Sequence, residues 1–150
     1  MSRHKIIVLP YSVDHYALLN ATPVFQYFGL PSNDAVAKIY TRGPSFSAFI
    51  DGELLLCAGV IKLWPGVGDA WMIPTELIFQ YKILTYRLIR DHLDLIIKLG
   101  SFQRVQAITK FGFTRAINFL DHLGFEYEGP LRKYFGGEDY MRWGKITEVI

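Results

Sequence analysis

Two apolar runs, SFSAFI and ELLLCAGVIKLW, flank Asp51-Gly52 in the middle of the chain. Asp-Gly supplies the positive φ values that a two-residue hairpin turn requires, so the stretch predicts two antiparallel strands. Pro65-Gly66 and Gly68-Asp69 bracket a further turn into AWMIPTELIF, a third strand-like run that completes a meander. Over residues 82–99 the polar positions Arg87, Arg90, Asp91, Asp94 and Lys98 recur at three- and four-residue spacing. Leu84, Leu88, Ile89, Leu95, Ile96 and Leu99 fill the other side, the pattern of a long amphipathic helix that Gly100 would close in the left-handed region. Residues 104–109 alternate as a short strand, and residues 114–123 form a second amphipathic helix ended by Gly124. Residues 125–135 and 138–143 make a last hairpin across Gly136-Gly137. Before the meander, residues 5–9 read as a strand closed by Pro10 and residues 14–20 as a helix capped by Ser12 or Asp14. Residues 23–38 leave room for one or two short helices, the second starting near Ser32, Asn33 and Asp34.

This alternation predicts one domain over residues 1–150, and the composition agrees: 51% hydrophobic and 15% aromatic residues are enough for a chain of this length to bury roughly 70% of its unfolded surface. Sixteen basic against 14 acidic residues, spread along the chain without a basic block, argue against a nucleic-acid partner. The single Cys57 has no disulfide partner, and MSRHKIIVLPYS lacks a secretory apolar core, which together suit the cytoplasm. Neither LLLCAGVI nor residues 83–99 offers the roughly 20 apolar residues of a membrane span.

The order of elements, together with FLDHLGFEYEGPLRKYF, resembles the GNAT family of acyl-CoA N-acyltransferases. In that family a helix ending in L-G-F leads into a strand of the E-x-E-G type and a closing hairpin, and here Leu123-Gly124-Phe125 and Glu126-Tyr127-Glu128-Gly129 match. The resemblance runs over residues 44–145. It implies an α/β (α+β) fold: a mixed, mainly antiparallel sheet of six to seven strands with a splayed strand pair, flanked by about four helices. AGVIKLWPGVGDAW is similar, more narrowly, to small acetyltransferase-like proteins of tailed bacteriophages. That likeness would place the protein in the host cytoplasm or the virion.

The resemblance implies acetyl-CoA as cosubstrate and an amine as acceptor. It places the pantetheine-binding strand segment at Ile73, Pro74 and Thr75, and the phosphate loop, Q/R-x-x-G-x-G/A, at Gln80, Tyr81, Lys82, Ile83, Leu84 and Thr85. Ile83 stands where the first glycine belongs and Pro74 removes a strand donor, while Lys82 offers a charge-assisted contact to phosphate. The family's usual Glu, Asn and Tyr positions hold Trp71, Ile108, Phe113 and Leu120, none of which moves a proton. Glu76 is a candidate base, or else a solvated strand-end carboxylate. Tyr134, with Tyr127 and Tyr140, is a candidate acid for the leaving thiolate, or else an ordinary strand former.

His4, His15, His92 and His122 lack metal-ligand spacing, and Cys57 reads as a small buried hydrophobe. Trp64, Trp71 and Trp143 either line the acceptor cleft or pack at the sheet ends. The alternative function is a GNAT-shaped phage protein without catalysis, acting as a virion or assembly component or binding a host protein. The aromatic hairpin of residues 127–140 also offers an edge for a homodimer.

Overall fold

A computed structural model describes residues 3–20, 22 and 33–147; the first of the short helices expected between residues 23 and 38 lies outside them. The strands are β1 (Ile6–Pro10), β2 (Ser45–Ile50), β3 (Glu53–Trp64), β4 (Val67–Pro74), β5 (Arg104–Lys110), β6 (Glu126–Phe135) and β7 (Glu138–Ile146). The described helices are α1 (Val13–Asn20), α2 (Asp34–Ile39), α3 (Lys82–Gly100) and α4 (Thr114–His122). One seven-stranded sheet runs β1-β2-β3-β4-β5-β7-β6, antiparallel throughout except between β4 and β5. This is the mixed, mainly antiparallel architecture expected.

Each face of the sheet carries its own core. On one, Thr85, Ile89, Leu93, Ile96 and Ile97 form the buried stripe of α3, and its isoleucines and leucine join Leu120 of α4 over Leu55, Val60, Val105, Ala107 and Trp143. On the other, Tyr16 and Leu19 of α1 and Ala37 of α2 cover Leu54, Cys57 and Ile73. The Asn33 side chain accepts from the Val36 N–H and starts α2 where the sequence placed it. Asp51 and Gly52, at φ 49° and 83°, make the expected tight turn between β2 and β3.

Three local expectations are corrected. The third strand stops at Pro74, and Glu76–Phe79 forms a 3-10 turn. Thr75 seals the end of the ladder: its N–H and hydroxyl donate to the Leu55 carbonyl at 2.9 and 3.0 Å, and the hydroxyl also reaches the Leu54 carbonyl at 2.8 Å. Gly68 and Asp69 are not turn residues but lie inside β4. A Cβ on Gly68 would come within 2.2 Å of Val60 Cγ1, so glycine there serves close packing. At the end of α3, Ser101 takes the left-handed position, at φ 52° and ψ 40°, while Gly100 stays helical, and the Phe102 ring, 2.5 Å from where a Cβ would be, is what requires glycine there.

Candidate active site at the parting of two strands

β4 and β5 pair only at Val67–Arg104, Gly68–Val105 and Asp69–Gln106, after which both continue unpaired with each other to Pro74 and Lys110. The parting follows from their other partners. β3 holds β4 from Trp64–Val67 to Leu56–Pro74, and β7 holds β5 along its whole length, so each strand follows the twist of its own ladder. Arg104 braces the second ladder at its base. Its guanidinium donates to both Glu128 oxygens, at 2.8 and 2.5 Å, across the intervening β7. Gly144 leaves room for this bridge, since a Cβ there would meet Glu128 Oε2 at 2.3 Å. The second glutamate of the E-x-E-G stretch is therefore a brace, and the pair holds its carboxyl below the usual range.

Ladder parity decides which backbone groups face the gap. The Thr75 N–H points to Leu55 on β3, and the unshifted register below it directs Ile73 to the same side, opposite Cys57. Ala70, Met72 and Pro74 therefore turn their backbone groups toward the gap. Ala70 lies at the crotch beside the last β4–β5 pairing and Pro74 has no N–H, which leaves the Met72 N–H as the donor of the open part. Ile73 and Thr75, the sequence candidates, are buried next to it with their backbone directed away. Met72 was overlooked because a strand's hydrogen-bonding parity is set by its partner and leaves no mark on its own sequence.

The open end of β4 leads to the start of α3. Its first helical bond runs from the Thr85 N–H to the Tyr81 carbonyl at 2.8 Å, so the N–H groups of Lys82, Ile83 and Leu84 have no partner within the helix. No side chain caps this end and its first turn carries no acid, which leaves the positive end of the helix dipole unopposed. Gln80 and Lys82 are exposed there. Arg115 of α4 lies 4.6 Å from the Phe79 ring centre, adding a cation that spacing alone did not reveal. Ile83 is 70% exposed, so its branched side chain stands in solvent and is not packed between the strands. Tyr81 packs edge-on to His4 at 5.0 Å, Leu84 packs on the core, and Thr85 is buried with its Oγ1 unpartnered. Three free amides with Lys82 and Arg115 suit a diphosphate, and the Met72 N–H suits an amide-bearing arm.

On the opposite face, at the crotch, stands Asp69. Its Oδ1 is buried without a hydrogen-bond partner, and burial pushes its carboxyl from the usual 3.8 up to about 6. Two residues on, Trp71 projects from the same face with its Nε1 also buried and unpartnered. Tyr40 packs 4.2 Å from the Trp71 ring and Tyr11 5.3 Å from it. Burial, then the Asp69 charge, raises the Tyr40 phenol above its ordinary range. A carboxyl that burial draws toward neutrality beside packed aromatic rings is a candidate general base. The sequence reading passed over Asp69 because Gly-Asp after Pro-Gly looks like a turn.

Glu76 opens the 3-10 turn beyond β4, half-buried. Tyr134 lies beyond the end of β5 near the tip of the β6–β7 hairpin, 53% exposed and packed on Tyr140 at 5.6 Å. Cys57 is fully buried against Ser47, and burial pushes its thiol up to about 12. Trp143 packs in the core and Trp64 is exposed, so of the three tryptophans Trp71 is the one packed on Tyr11 and Tyr40 two residues from Asp69. Among the described residues no group of His, Cys, Asp or Glu has the arrangement of a metal site, and no helix is long and apolar enough to cross a membrane.

No family model and no curated protein matches the sequence. Solved structures do match the fold. Ard1 from Thermoplasma volcanium superposes with a TM-score of 0.78 at 12% identity, covering 96% of this chain and 99% of that one. A spermidine N-acetyltransferase SpeG chimera from Vibrio cholerae and hSSAT gives 0.75 at 15% identity, covering 94% and 95%. An acetyltransferase of the GNAT family from Streptococcus pneumoniae gives 0.73 at 14% identity, covering 96% and 100%. These structures lend no support to the narrower bacteriophage resemblance. At such identities the likeness speaks for architecture, and the parted strands, the long helix and the closing hairpin give this chain the fold of the GNAT acetyltransferases.

Proposed function

We propose that the protein is an acyl-CoA-dependent N-acyltransferase, with acetyl-CoA as donor and an amine as acceptor. The observation that carries this reading is the Asp69 carboxyl, with its Oδ1 buried and unpartnered, at the base of the parting between β4 and β5. A fold alone does not select a chemistry, and a structural sheet has no use for a desolvated acid at its one parting.

The free amides of Lys82, Ile83 and Leu84, with the Lys82 and Arg115 side chains, hold the diphosphate of the donor. Its pantetheine arm enters the gap beside Met72, whose N–H is placed to polarise a carbonyl. The acceptor approaches from the opposite face, beside the Tyr11, Tyr40 and Trp71 rings. Asp69 removes a proton from its ammonium, and the freed nitrogen attacks the thioester carbonyl carbon. The C–N bond forms, the C–S bond breaks, and the thiolate leaves with the second nitrogen proton. Holding both reactants across one strand supplies the proximity the reaction needs. Glu76 and Tyr134 remain candidates for relaying protons to solvent.

Isothermal titration with CoA and acetyl-CoA, followed by thiol-release assays with a panel of amines, tests this reading. The expected result is saturable binding of both ligands and amine-dependent release that Asp69→Asn lowers at least about a hundredfold. Absence of binding at millimolar ligand would overturn it. The protein would then be better described by its departures from the family pattern at Ile83 and Pro74, as a GNAT-shaped binder without catalysis.

A further inference from the structure

The buried polar groups of this fold find partners almost everywhere. Trp143 Nε1 donates to Thr109 Oγ1 at 3.0 Å, the Tyr11 hydroxyl to the Ala37 carbonyl at 2.9 Å, and the Thr75 hydroxyl to two carbonyls. Asp69 Oδ1 and Trp71 Nε1 break that rule side by side, on one face of one strand and two residues apart. One is an acceptor and the other can only donate. An orphaned buried polar atom costs free energy, so a complementary pair of them marks a place completed by something from outside.

From this pair, and resting on the transferase reading above, we infer that the acceptor is an α-aminoacyl compound, an amino-acid amide or a peptide N-terminus, whose amine meets Asp69 while the neighbouring carbonyl oxygen accepts from Trp71. Same-face side chains two apart on a strand stand about 7 Å apart, a span that a nitrogen and a carbonyl oxygen on adjacent carbons bridge with one hydrogen bond at each end. A simple alkylamine or polyamine offers donors only. It would satisfy Asp69 and bury the indole N–H unpaired.

Two further features agree. An α-amino group has an ordinary pKa of about 8 and an alkylammonium about 10.4, so a carboxylate near neutrality deprotonates the first far more readily. The rings beside the pair are aromatic, with Tyr40 at 4.2 Å and Tyr11 at 5.3 Å from Trp71, and the Asp69 charge acts on Tyr40. A free α-carboxylate would enter beside a like charge, whereas an amide carbonyl is neutral.

The test compares phenylalaninamide with 2-phenylethylamine, which shares its ring and amine and lacks the carbonyl, and adds spermidine as a donor-only polyamine. Each kcat/KM is referred to the free-base fraction, in the intact protein with acetyl-CoA. The amide is expected to be favoured at least about tenfold, the consequence of leaving a buried donor unpaired with the other two. Trp71→Phe keeps a ring and removes the N–H, and should bring that preference down toward one, with thermal melting confirming that the variant folds. Equal or better transfer to phenylethylamine or spermidine overturns the inference and leaves the transferase standing. A preference that survives Trp71→Phe also overturns it. Transfer to none of the three, with acetyl-CoA bound or not, removes both the inference and the reading beneath it.

Discussion

Replacing Asp69 by asparagine should make the protein more stable and less active at once. The carboxyl titrates at about 6 in the folded chain and at the ordinary 3.8 when unfolded, so between those values the folded state holds more of the proton. Stability then falls as pH rises through this window and levels off above it. The rise corresponds to a cost of about 3 kcal/mol for keeping the carboxylate desolvated at pH 8. Asparagine never carries that charge, although its amide leaves polar atoms unpaired in the same place at a cost of about 1–2 kcal/mol. The net gain at pH 8 is therefore about 1–2 kcal/mol, which for a chain of this size is roughly 3–6 °C in melting temperature. Below pH 4 the wild-type acid is neutral and the gain should vanish or reverse. Thermal melts of both proteins from pH 4 to 8 measure this, and the difference between the two curves should grow with a midpoint between 4 and 6. Parallel curves would show that Asp69 titrates as an ordinary surface acid, and the general-base assignment would fall with that result. In wild type, kcat/KM should drop on the acid side with an apparent pKa near 6, a limb absent from the residual activity of the variant.

Other consequences can be measured separately. Lys82→Ala should weaken CoA binding about five- to tenfold by isothermal titration, because one charge-assisted contact is lost, with the melting temperature nearly unchanged for an exposed side chain. Gly68→Ala should cost at least about 2 kcal/mol in urea denaturation, since the new methyl falls 2.2 Å from Val60 Cγ1 and 2.9 Å from the Phe102 ring. Cys57, fully buried with its thiol pushed up to about 12, should resist maleimide labelling at pH 8 until the chain is unfolded, and rapid labelling of the native protein would contradict its packing.

What the sequence revealed and what it withheld divide along a physical line. Elements whose signal is local were legible: the Asp51-Gly52 turn, the amphipathic α3, the Asn33 start of α2 and the L-G-F ending each depend on a few neighbouring residues. Features set by a partner strand were not. Gly68 and Asp69 carry turn chemistry in isolation, and they enter β4 only because Val60 and Phe102 close over a missing side chain and β5 pairs with them from the other edge. That one misread dipeptide hid the carboxyl around which the proposed site is built. Parity had the same effect on the backbone beside the parting: Ile73 and Thr75 are adjacent to it in sequence, and the register with Leu55 and Cys57 turns them from it in favour of Met72. The loop before α3 shows the converse. Its lost glycine looked disabling in sequence, yet the helix geometry directs the Ile83 side chain into solvent and leaves the first three amides free, because their exposure depends on where the helix begins and not on which residues begin it. A site made of backbone groups can thus outlast the motif that usually marks it, while a site made of one buried side chain stays invisible until the strands on either side of it are known.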